Sequence, residues 1–165
     1  MNVKPPDSPQ PTGTSVPQLL QETARQIDDL LADFLPGPAG PTVAVVEAMH
    51  HSLQGGKRLR PLVVMQAAET FGLPATAALP TACAFELLHT ATLIHDDLPA
   101  IDDSPLRRGR PSCHAAFGQA TAVLAGDALI IAASGALAKQ ASVADVQAEA
   151  VLRVISEFAD YSGAA

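Results

Sequence analysis

The hydrophobic positions of the 165-residue chain recur at the spacing of amphipathic helices. The first apolar stripe steps by four and three residues and consists of Leu20, Ala24, Ile27, Leu31 and Phe34. Five further helices are predicted, at about residues 46–53, 61–71, 80–96, 118–138 and 142–158. The fourth is apolar almost all round, which is typical of a helix in the middle of a bundle. No segment alternates like a strand, so the pattern predicts an all-α helical bundle of about six helices.

Local signals set the limits of this bundle. Residues 1–16 combine prolines with Ser, Thr and Gly, a composition that cannot bury a core, and we expect them to form a disordered tail. Pro17 suits the first turn of a helix and begins the predicted helical domain, residues 17–165. Ser142 with Asp145 resembles a capping box that opens the sixth helix.

Composition excludes several classes of protein. Apolar residues make up 48% of the chain, which excludes a wholly disordered protein. Ten Lys and Arg against 17 Asp and Glu give a net charge of −7, and aromatic residues are scarce at 4%, so we expect no nucleic-acid partner. Cys83 and Cys113 do not make a disulfide framework or a zinc motif, which indicates a reducing compartment.

The chain shows no targeting or membrane signal of the usual kind. Its most apolar window, residues 120–138, is interrupted by Asp127 and is rich in Ala and Gly rather than Leu, so we predict no membrane span. The N-terminal residues lack the apolar centre of a secretory signal. A cytoplasmic location is therefore expected.

The segment 95–111 concentrates charge and reads HDDLPAIDDSPLRRGRP. Its carboxylates are Asp96, Asp97, Asp102 and Asp103, and its guanidinium groups follow at Arg107, Arg108 and Arg110. Crowded carboxylates repel one another and lose hydration, so they need compensating charge. The arginines would supply it, and so would Mg²⁺, which takes one or two carboxylates and completes its shell with water and phosphate oxygens. A solvated loop with local salt bridges is the alternative.

Two further features favour a diphosphate ligand. Residues 55–61 read GGKRLRP, which places Lys57, Arg58 and Arg60 directly after two glycines. Arg offers bidentate contacts to phosphate and Lys a point charge. His89 stands seven residues before Asp96, about two helical turns, so both side chains leave one face of the fourth helix. A histidine satisfied within the core is the alternative for His89.

Together these motifs resemble the N-terminal half of the trans-isoprenyl diphosphate synthases, the polyprenyl synthetase family. The first signature of that family is DDxxxxD followed by RRG, which here is Asp96, Asp97 and Asp102 and then Arg107, Arg108 and Gly109. The resemblance covers about residues 17–165 and implies a helical bundle of the isoprenoid synthase type. It also implies a Mg²⁺-dependent prenyltransferase that condenses isopentenyl diphosphate with an allylic diphosphate, head to tail.

The resemblance assigns roles residue by residue. The implied ligands of isopentenyl diphosphate are Lys57, Arg60, His89 and Arg108. Mg²⁺ on Asp96 and Asp102, with Asp97 in support, would hold the allylic diphosphate, which Arg107 would also contact. Asp127, on the next helix, is expected to be structural.

Product length is expected to depend on the helix turn below the aspartates. Ala91 and Thr92 precede Asp96 by five and four residues, about one turn. Relatives that form farnesyl diphosphate typically have a bulky aromatic residue at the Ala91 position. The small side chain here predicts geranylgeranyl diphosphate or a longer product rather than farnesyl diphosphate.

The chain also departs from the family pattern. Family members are about twice as long, commonly form homodimers, and carry a second aspartate-rich motif that this sequence does not contain. We therefore expect this sequence to be part of a longer enzyme. Apolar faces that pack against the remaining helices would then be exposed, and we expect no turnover by this polypeptide alone. The first alternative is a short non-catalytic partner or modifier subunit of a full-length synthase. The second is a helical interaction module whose acidic loop is merely solvated.

Overall fold

The computed structural model describes residues 15–143 and 146–162, and within them the chain forms seven α-helices. The helices are α1 (Val16–Leu31), α2 (Val43–Leu53), α3 (Leu59–Thr70), α4 (Leu79–Asp96), α5 (Cys113–Phe117), α6 (Gln119–Lys139) and α7 (Ala148–Ser162). Short 3₁₀ turns lie between several of them. A small antiparallel hairpin joins β1 (Leu106–Arg107) to β2 (Arg110–Pro111). The predicted all-α class is confirmed.

The fold differs from the prediction mainly between α4 and α6. This segment was predicted as a charged loop, yet it contains the hairpin and the five-residue helix α5. Elements of two and five residues are too short to display a hydrophobic period, which is why the pattern does not reveal them. The predicted sixth helix begins at Ala148 rather than at Ser142, which lies in a 3₁₀ turn. Asp145, the other half of the predicted capping box, lies outside the described residues.

The N-terminal boundary is close to the predicted one. Helix α1 starts at Val16, one residue before Pro17, and Gln18 Oε1 accepts a hydrogen bond of 3.0 Å from the backbone N–H of Ser15. This bond satisfies one of the backbone donors that every helix start leaves open. The predicted tail lies outside the described residues over positions 1–14.

Helices α4 and α6 form the centre of the bundle. Leu87 of α4 and Leu129 of α6 are completely buried, and they are surrounded by fully buried alanines at positions 82, 84, 91, 122, 125, 133 and 136. Small side chains allow two helix backbones to approach closely, because the interaxial distance follows the side chains at the contact. Cys83 and Cys113 are free and buried within the same core, and burial raises the pKa of the Cys83 thiol to about 12.

Both central helices also satisfy the length and hydropathy of a membrane span. The segments Ala75–Asp96 and Gln119–Ser142 have mean hydropathies of 1.3 and 1.7. The sequence analysis predicts no membrane span, and the length and hydropathy of these two helices do not by themselves confirm that prediction. A core helix passes the same test, and these two helices contribute most of the buried alanines among the described residues.

Part of the apolar surface of the bundle faces outward. On α6 the exposed apolar residues are Val123, Leu124, Ile130 and Ile131, and on α7 they are Leu152, Val154 and Tyr161. The exposed apolar faces expected from the sequence are therefore present. Where such residues adjoin one another, the apolar surface they form is typical of an interaction site.

We expect the substitution Gly126→Ala to destabilise the protein. A Cβ at position 126 would overlap His95 Nε2 and lie 2.6 Å from its Cδ2, so the imidazole between α4 and α6 must leave its place. The expected loss is about 1–2 kcal/mol of unfolding free energy, measured by urea denaturation. The matched control is Gly135→Ala on the same helix, where among the described residues a Cβ would meet no atom within 4 Å beyond its own helix backbone. Alanine there should stabilise the helix by about 0.5–1 kcal/mol. Equal effects at both glycines would contradict this packing.

Candidate functional site

The loop that follows α4 is shaped by a buried ion pair. Asp97 ends α4 and is 1% exposed, and both of its oxygens accept hydrogen bonds from Arg107 Nε, at 3.2 and 3.1 Å. Arg107 Nη2 also donates to Asp97 Oδ1. The bonded carboxylate raises the pKa of the Arg107 guanidinium. Because a buried carboxylate is costly without a counter-charge, this pair fixes the distance between the helix end and the hairpin.

Backbone hydrogen bonds close the loop over the same pair. The N–H of Asp102 donates to the carbonyl of Asp96 at 2.9 Å, and the N–H of Ser104 donates to the carbonyl of Asp97 at 3.2 Å. Asp103 takes a left-handed backbone conformation with φ of 46°. The two predicted metal ligands, Asp96 and Asp102, are thereby brought onto one tight turn.

The side chains of Asp96 and Asp102 are exposed, and within the described ranges neither has a hydrogen-bond or ion-pair partner. No cluster of three or more His, Cys, Asp or Glu side chains that could hold a metal occurs in that part of the chain. Two free carboxylates on one turn nevertheless fit Mg²⁺, because this ion takes few protein ligands and completes its octahedron with water and phosphate oxygens. The donor set therefore suits a metal that arrives together with a phosphorylated ligand.

The hairpin carries Arg108 against the glycine loop. Arg108 lies at its left-handed turn, with φ of 53°, and its Nη1 donates to the carbonyl of Gly55 at 2.6 Å. A Cβ on Gly56 would lie 2.8 Å from Arg108 Cζ, so only glycine leaves room for the guanidinium. Burial, followed by the charge of Arg58, lowers the pKa of Arg108. The two basic motifs of the sequence therefore meet in space.

Arg110 attaches the hairpin to His51 on α2 and to Gln54, which directly follows α2. Arg110 Nη2 donates to His51 Nδ1 at 3.1 Å and Arg110 Nη1 donates to Gln54 Oε1 at 2.5 Å. Because His51 Nδ1 is the acceptor, its Nε2 carries the proton and donates to the carbonyl of Pro111 at 2.9 Å. His51 thus contacts both residues of β2, the side chain of Arg110 and the backbone of Pro111.

A second buried ion pair lies behind the glycine loop. Arg58 is 2% exposed, and its Nη1 donates to Glu86 Oε1 at 2.7 Å; Glu86 is also 2% exposed. Sequence reasoning grouped Arg58 with its exposed neighbours Lys57 and Arg60, and it treated Glu86 as an ordinary helix position. The sequence did contain a signal for this pair. Glu86 is an acidic residue within an otherwise apolar helix segment, and a buried carboxylate is almost always paired with a cation.

Three of the predicted residues line one cleft of about 300 Å³: Arg60, His89 and Thr92. Phe85, Leu88, Tyr161 and Ser162 complete its lining. Burial, and next the charge of Arg60, lower the pKa of His89 below its ordinary value of 6.5. The neutral ring fits a group that donates a hydrogen bond to phosphate while Arg60 supplies the positive charge.

The remaining predicted residues are placed as follows. Lys57 is exposed on the glycine loop. Ala91 is fully buried in the core, so it contributes no bulk to the cleft that Thr92 borders. Asp127 lies on the exposed side of α6, with its Oδ1 3.7 Å from His95 Nε2.

The sequence matches a family of known proteins over most of its length. A family model described as Polyprenyl synthetase matches residues 43–162. The chain is 42% identical over 150 residues to the farnesyl diphosphate synthase of Escherichia coli (strain K12), which covers 90% of this chain and 50% of that protein. It is likewise 42% identical over 143 residues to the heterodimeric geranylgeranyl pyrophosphate synthase small subunit, chloroplastic, of Arabidopsis thaliana, covering 86% of this chain and 42% of that one.

Solved structures agree with the sequence match. The crystal structure of an FPP/GFPP synthase from Zymomonas mobilis superposes with a TM-score of 0.82 at 41% identity, covering 88% of this chain and 52% of that one. The fold is thus the all-α fold of the isoprenoid synthases. The chain belongs to the polyprenyl synthetase family. It spans about half the length of the curated relatives it matches.

The Asp97–Arg107 pair predicts unequal costs for its two deletions. Arg107→Ala leaves a buried carboxylate without a counter-charge and should cost about 3 kcal/mol of unfolding free energy. Asp97→Asn should cost only about 1–2 kcal/mol, because the Arg107 side chain is 39% exposed and can turn to water. Urea denaturation of both variants checks the order. A larger loss in Asp97→Asn would show that the pair does not fix the loop.

The environment of His89 predicts its titration. Its pKa should lie below 6.5 when followed by NMR, and Arg60→Gln should raise it only partly, because burial is the larger cause. The folded protein binds this proton less readily than the unfolded chain, so charging His89 opposes folding. Its effect on stability is therefore absent well above pH 6.5 and becomes unfavourable as the pH falls through that value. An unchanged pKa of His89 in Arg60→Gln would show that the Arg60 guanidinium does not lie near the imidazole.

Proposed function

We propose that this chain provides the first aspartate-rich region of a Mg²⁺-dependent prenyltransferase that condenses isopentenyl diphosphate with an allylic diphosphate. The observation that carries the proposal is the exposed Asp96 and Asp102 pair on one closed turn, which the buried Asp97–Arg107 pair ties to the hairpin. This turn ends α4, the helix whose His89 and Thr92 line the cleft together with Arg60. The similar proteins support the same chemistry, since they are named as farnesyl and geranylgeranyl diphosphate synthases.

The side chains divide between two diphosphates in this proposal. Asp96 and Asp102 would hold Mg²⁺, which when bound stabilises the negative charge that develops on the leaving diphosphate. Breakage of the allylic C–O bond leaves a carbocation, and the double bond of isopentenyl diphosphate attacks it before a proton is lost. Lys57, Arg60, His89 and Arg108 would orient isopentenyl diphosphate for that attack. Arg107 has its Nε and Nη2 on Asp97, so it would reach the allylic diphosphate through its remaining N–H groups.

The apolar wall of the cleft supports the same reaction. Phe85 and Leu88 lie on α4 beside His89, and they would exclude water that could quench a carbocation. The proposed product is geranylgeranyl diphosphate or longer, because Ala91 stands where relatives that form farnesyl diphosphate typically have a bulky aromatic residue. Ala91 itself is buried in the core and is not part of the cleft lining. Accumulation of farnesyl diphosphate as the end product would contradict the proposed product length.

A non-catalytic partner subunit is the second candidate. It is favoured by the exposed apolar residues of α6 and α7 and by the likeness to a protein named as the small subunit of a heterodimeric geranylgeranyl pyrophosphate synthase. In that case the apolar surface would be covered by a full-length synthase; in an enzyme of homodimeric type a second copy would cover it. Because neither candidate predicts turnover by this chain alone, the test adds the chain to a full-length synthase. A changed rate or product spectrum supports the partner subunit, and no change supports the first candidate.

The metal turn gives the direct test. Asp96→Asn and Asp102→Asn should each weaken Mg²⁺-dependent binding of an allylic thiodiphosphate analogue by about tenfold or more, because each removes one of two carboxylates from the proposed metal site. Isothermal titration calorimetry measures the affinity with and without Mg²⁺.

The matched control is Asp103→Asn. Asp103 belongs to the same loop and is exposed, with His114 Nε2 3.9 Å from its Oδ1, but it lies outside the proposed ligand pair. Its variant should bind the analogue within about twofold of the unaltered chain, as exposed ion pairs contribute little. Binding that does not depend on Mg²⁺, or equal losses in all three variants, would favour a merely solvated acidic loop.

A further inference from the structure

Arg58 connects three helices through one buried guanidinium. It precedes α3 in a left-handed backbone conformation, with φ of 50°. Its Nε donates to Asp28 of α1 at 2.8 Å, its Nη2 donates to the carbonyl of Leu53 at the end of α2, and its Nη1 donates to Glu86 of α4. Because Arg58 turns inward, Lys57 and Arg60 on either side of it remain exposed.

Glu86 faces a second guanidinium as well. Arg108 Nη2 lies 3.8 Å from Glu86 Oε1, the same oxygen that accepts from Arg58. One buried carboxylate is therefore shared between the glycine loop, which carries Lys57, and the hairpin, which carries Arg108. Within the described ranges, Arg58 and Arg108 have no other buried carboxylate as an ion-pair partner, since Asp28 is 51% exposed. Arg58 is buried and the Arg108 side chain is 23% exposed, and the Glu86 carboxylate between them offsets the repulsion of these two like charges.

Glu86 is also close to the proposed phosphate ligand on its own helix. His89 follows it by three residues on α4, so the two side chains lie near one face of the helix. The glycine loop, the hairpin and His89 supply the whole proposed set of isopentenyl diphosphate ligands, apart from Arg60 at the start of α3. Glu86 contacts or adjoins each of those three parts.

We propose that Glu86 is a positioning residue for diphosphate recognition: its buried carboxylate binds Arg58 and Arg108 together and so sets the spacing of Lys57, His89 and Arg108 around one diphosphate. This inference rests on the proposed function, in which those residues hold isopentenyl diphosphate. Glu86 touches no ligand itself. It acts through the two guanidinium groups, which are attached to the two loops.

The test replaces the charge of Glu86 while keeping its shape. Glu86→Gln should weaken isopentenyl diphosphate binding by about tenfold or more, because both guanidinium groups lose their shared counter-charge and the loops separate. Mg²⁺-dependent binding of the allylic thiodiphosphate analogue should stay within about twofold, because the metal turn is held by the separate Asp97–Arg107 pair. Calorimetry with each ligand measures both affinities on one preparation.

Asp28→Asn is the matched control for the loss of an acidic partner of Arg58. Asp28 pairs with Arg58 but makes no ion pair with Arg108, so its variant should keep isopentenyl diphosphate affinity within about twofold even where its stability falls. This contrast separates positioning from general stabilisation. Equal loss of affinity in Asp28→Asn and Glu86→Gln would overturn the proposal.

A second variant displaces Arg108, one of the two guanidinium groups beside Glu86, without altering Glu86. Gly56→Ala should push the Arg108 guanidinium away from the glycine loop and weaken isopentenyl diphosphate binding while sparing the allylic analogue. If Glu86→Gln does not fold, unchanged isopentenyl diphosphate binding in Gly56→Ala overturns the proposal.

The outcomes also distinguish this inference from the proposed function. If the unaltered chain binds both ligands and Glu86→Gln retains isopentenyl diphosphate, only the positioning role is wrong. If Glu86→Gln loses both ligands alike, the carboxylate serves folding and the role is again wrong. If the unaltered chain binds neither ligand, the proposed function fails, and the inference fails with it.

Discussion

A charged side chain that is buried away from water needs an opposite charge beside it, and two such ion pairs shape the candidate site. Asp97 pairs with Arg107 at the end of α4, and Arg58 pairs with Glu86 at the start of α3. Each pair ties the region of α4 to a neighbouring element. Asp97 directly follows α4 and pairs with Arg107 of β1, while Glu86 lies on α4 and pairs with Arg58, which directly precedes α3. The exposed charges next to them are then presented on fixed backbone rather than on free loops.

The helical bundle could be predicted from the sequence because its apolar stripes are long and regular. Helices α1, α2, α3, α4 and α6 lie within a few residues of their predicted bounds. The hairpin and α5 could not be predicted, since they are too short to show a period and depend on contacts such as Arg110 with His51. The start of α7 was wrong because a Ser and Asp pair also occurs outside caps.

The site was predictable in composition more than in geometry. Spacing was enough to bring Asp96 and Asp102 together, because both lie on one short loop. It could not show that Asp97, between them in the motif, is buried against Arg107, or that Arg108 reaches the glycine loop 53 residues away. Such contacts depend on tertiary packing, and a residue's place within a motif does not tell which side of the backbone it faces.

The left-handed backbone at Arg58 and Arg108 has a consequence for how basic motifs are dissected. Arg58 has a left-handed backbone and a buried side chain, whereas Lys57 and Arg60 are exposed, so GGKRLRP divides into one internal cation and two external ones. Replacing such a run as a block would remove the buried ion pair of Arg58 and the proposed ligand contacts of Lys57 and Arg60 at the same time. Only substitutions made one position at a time can assign the two kinds of cation to their separate tasks.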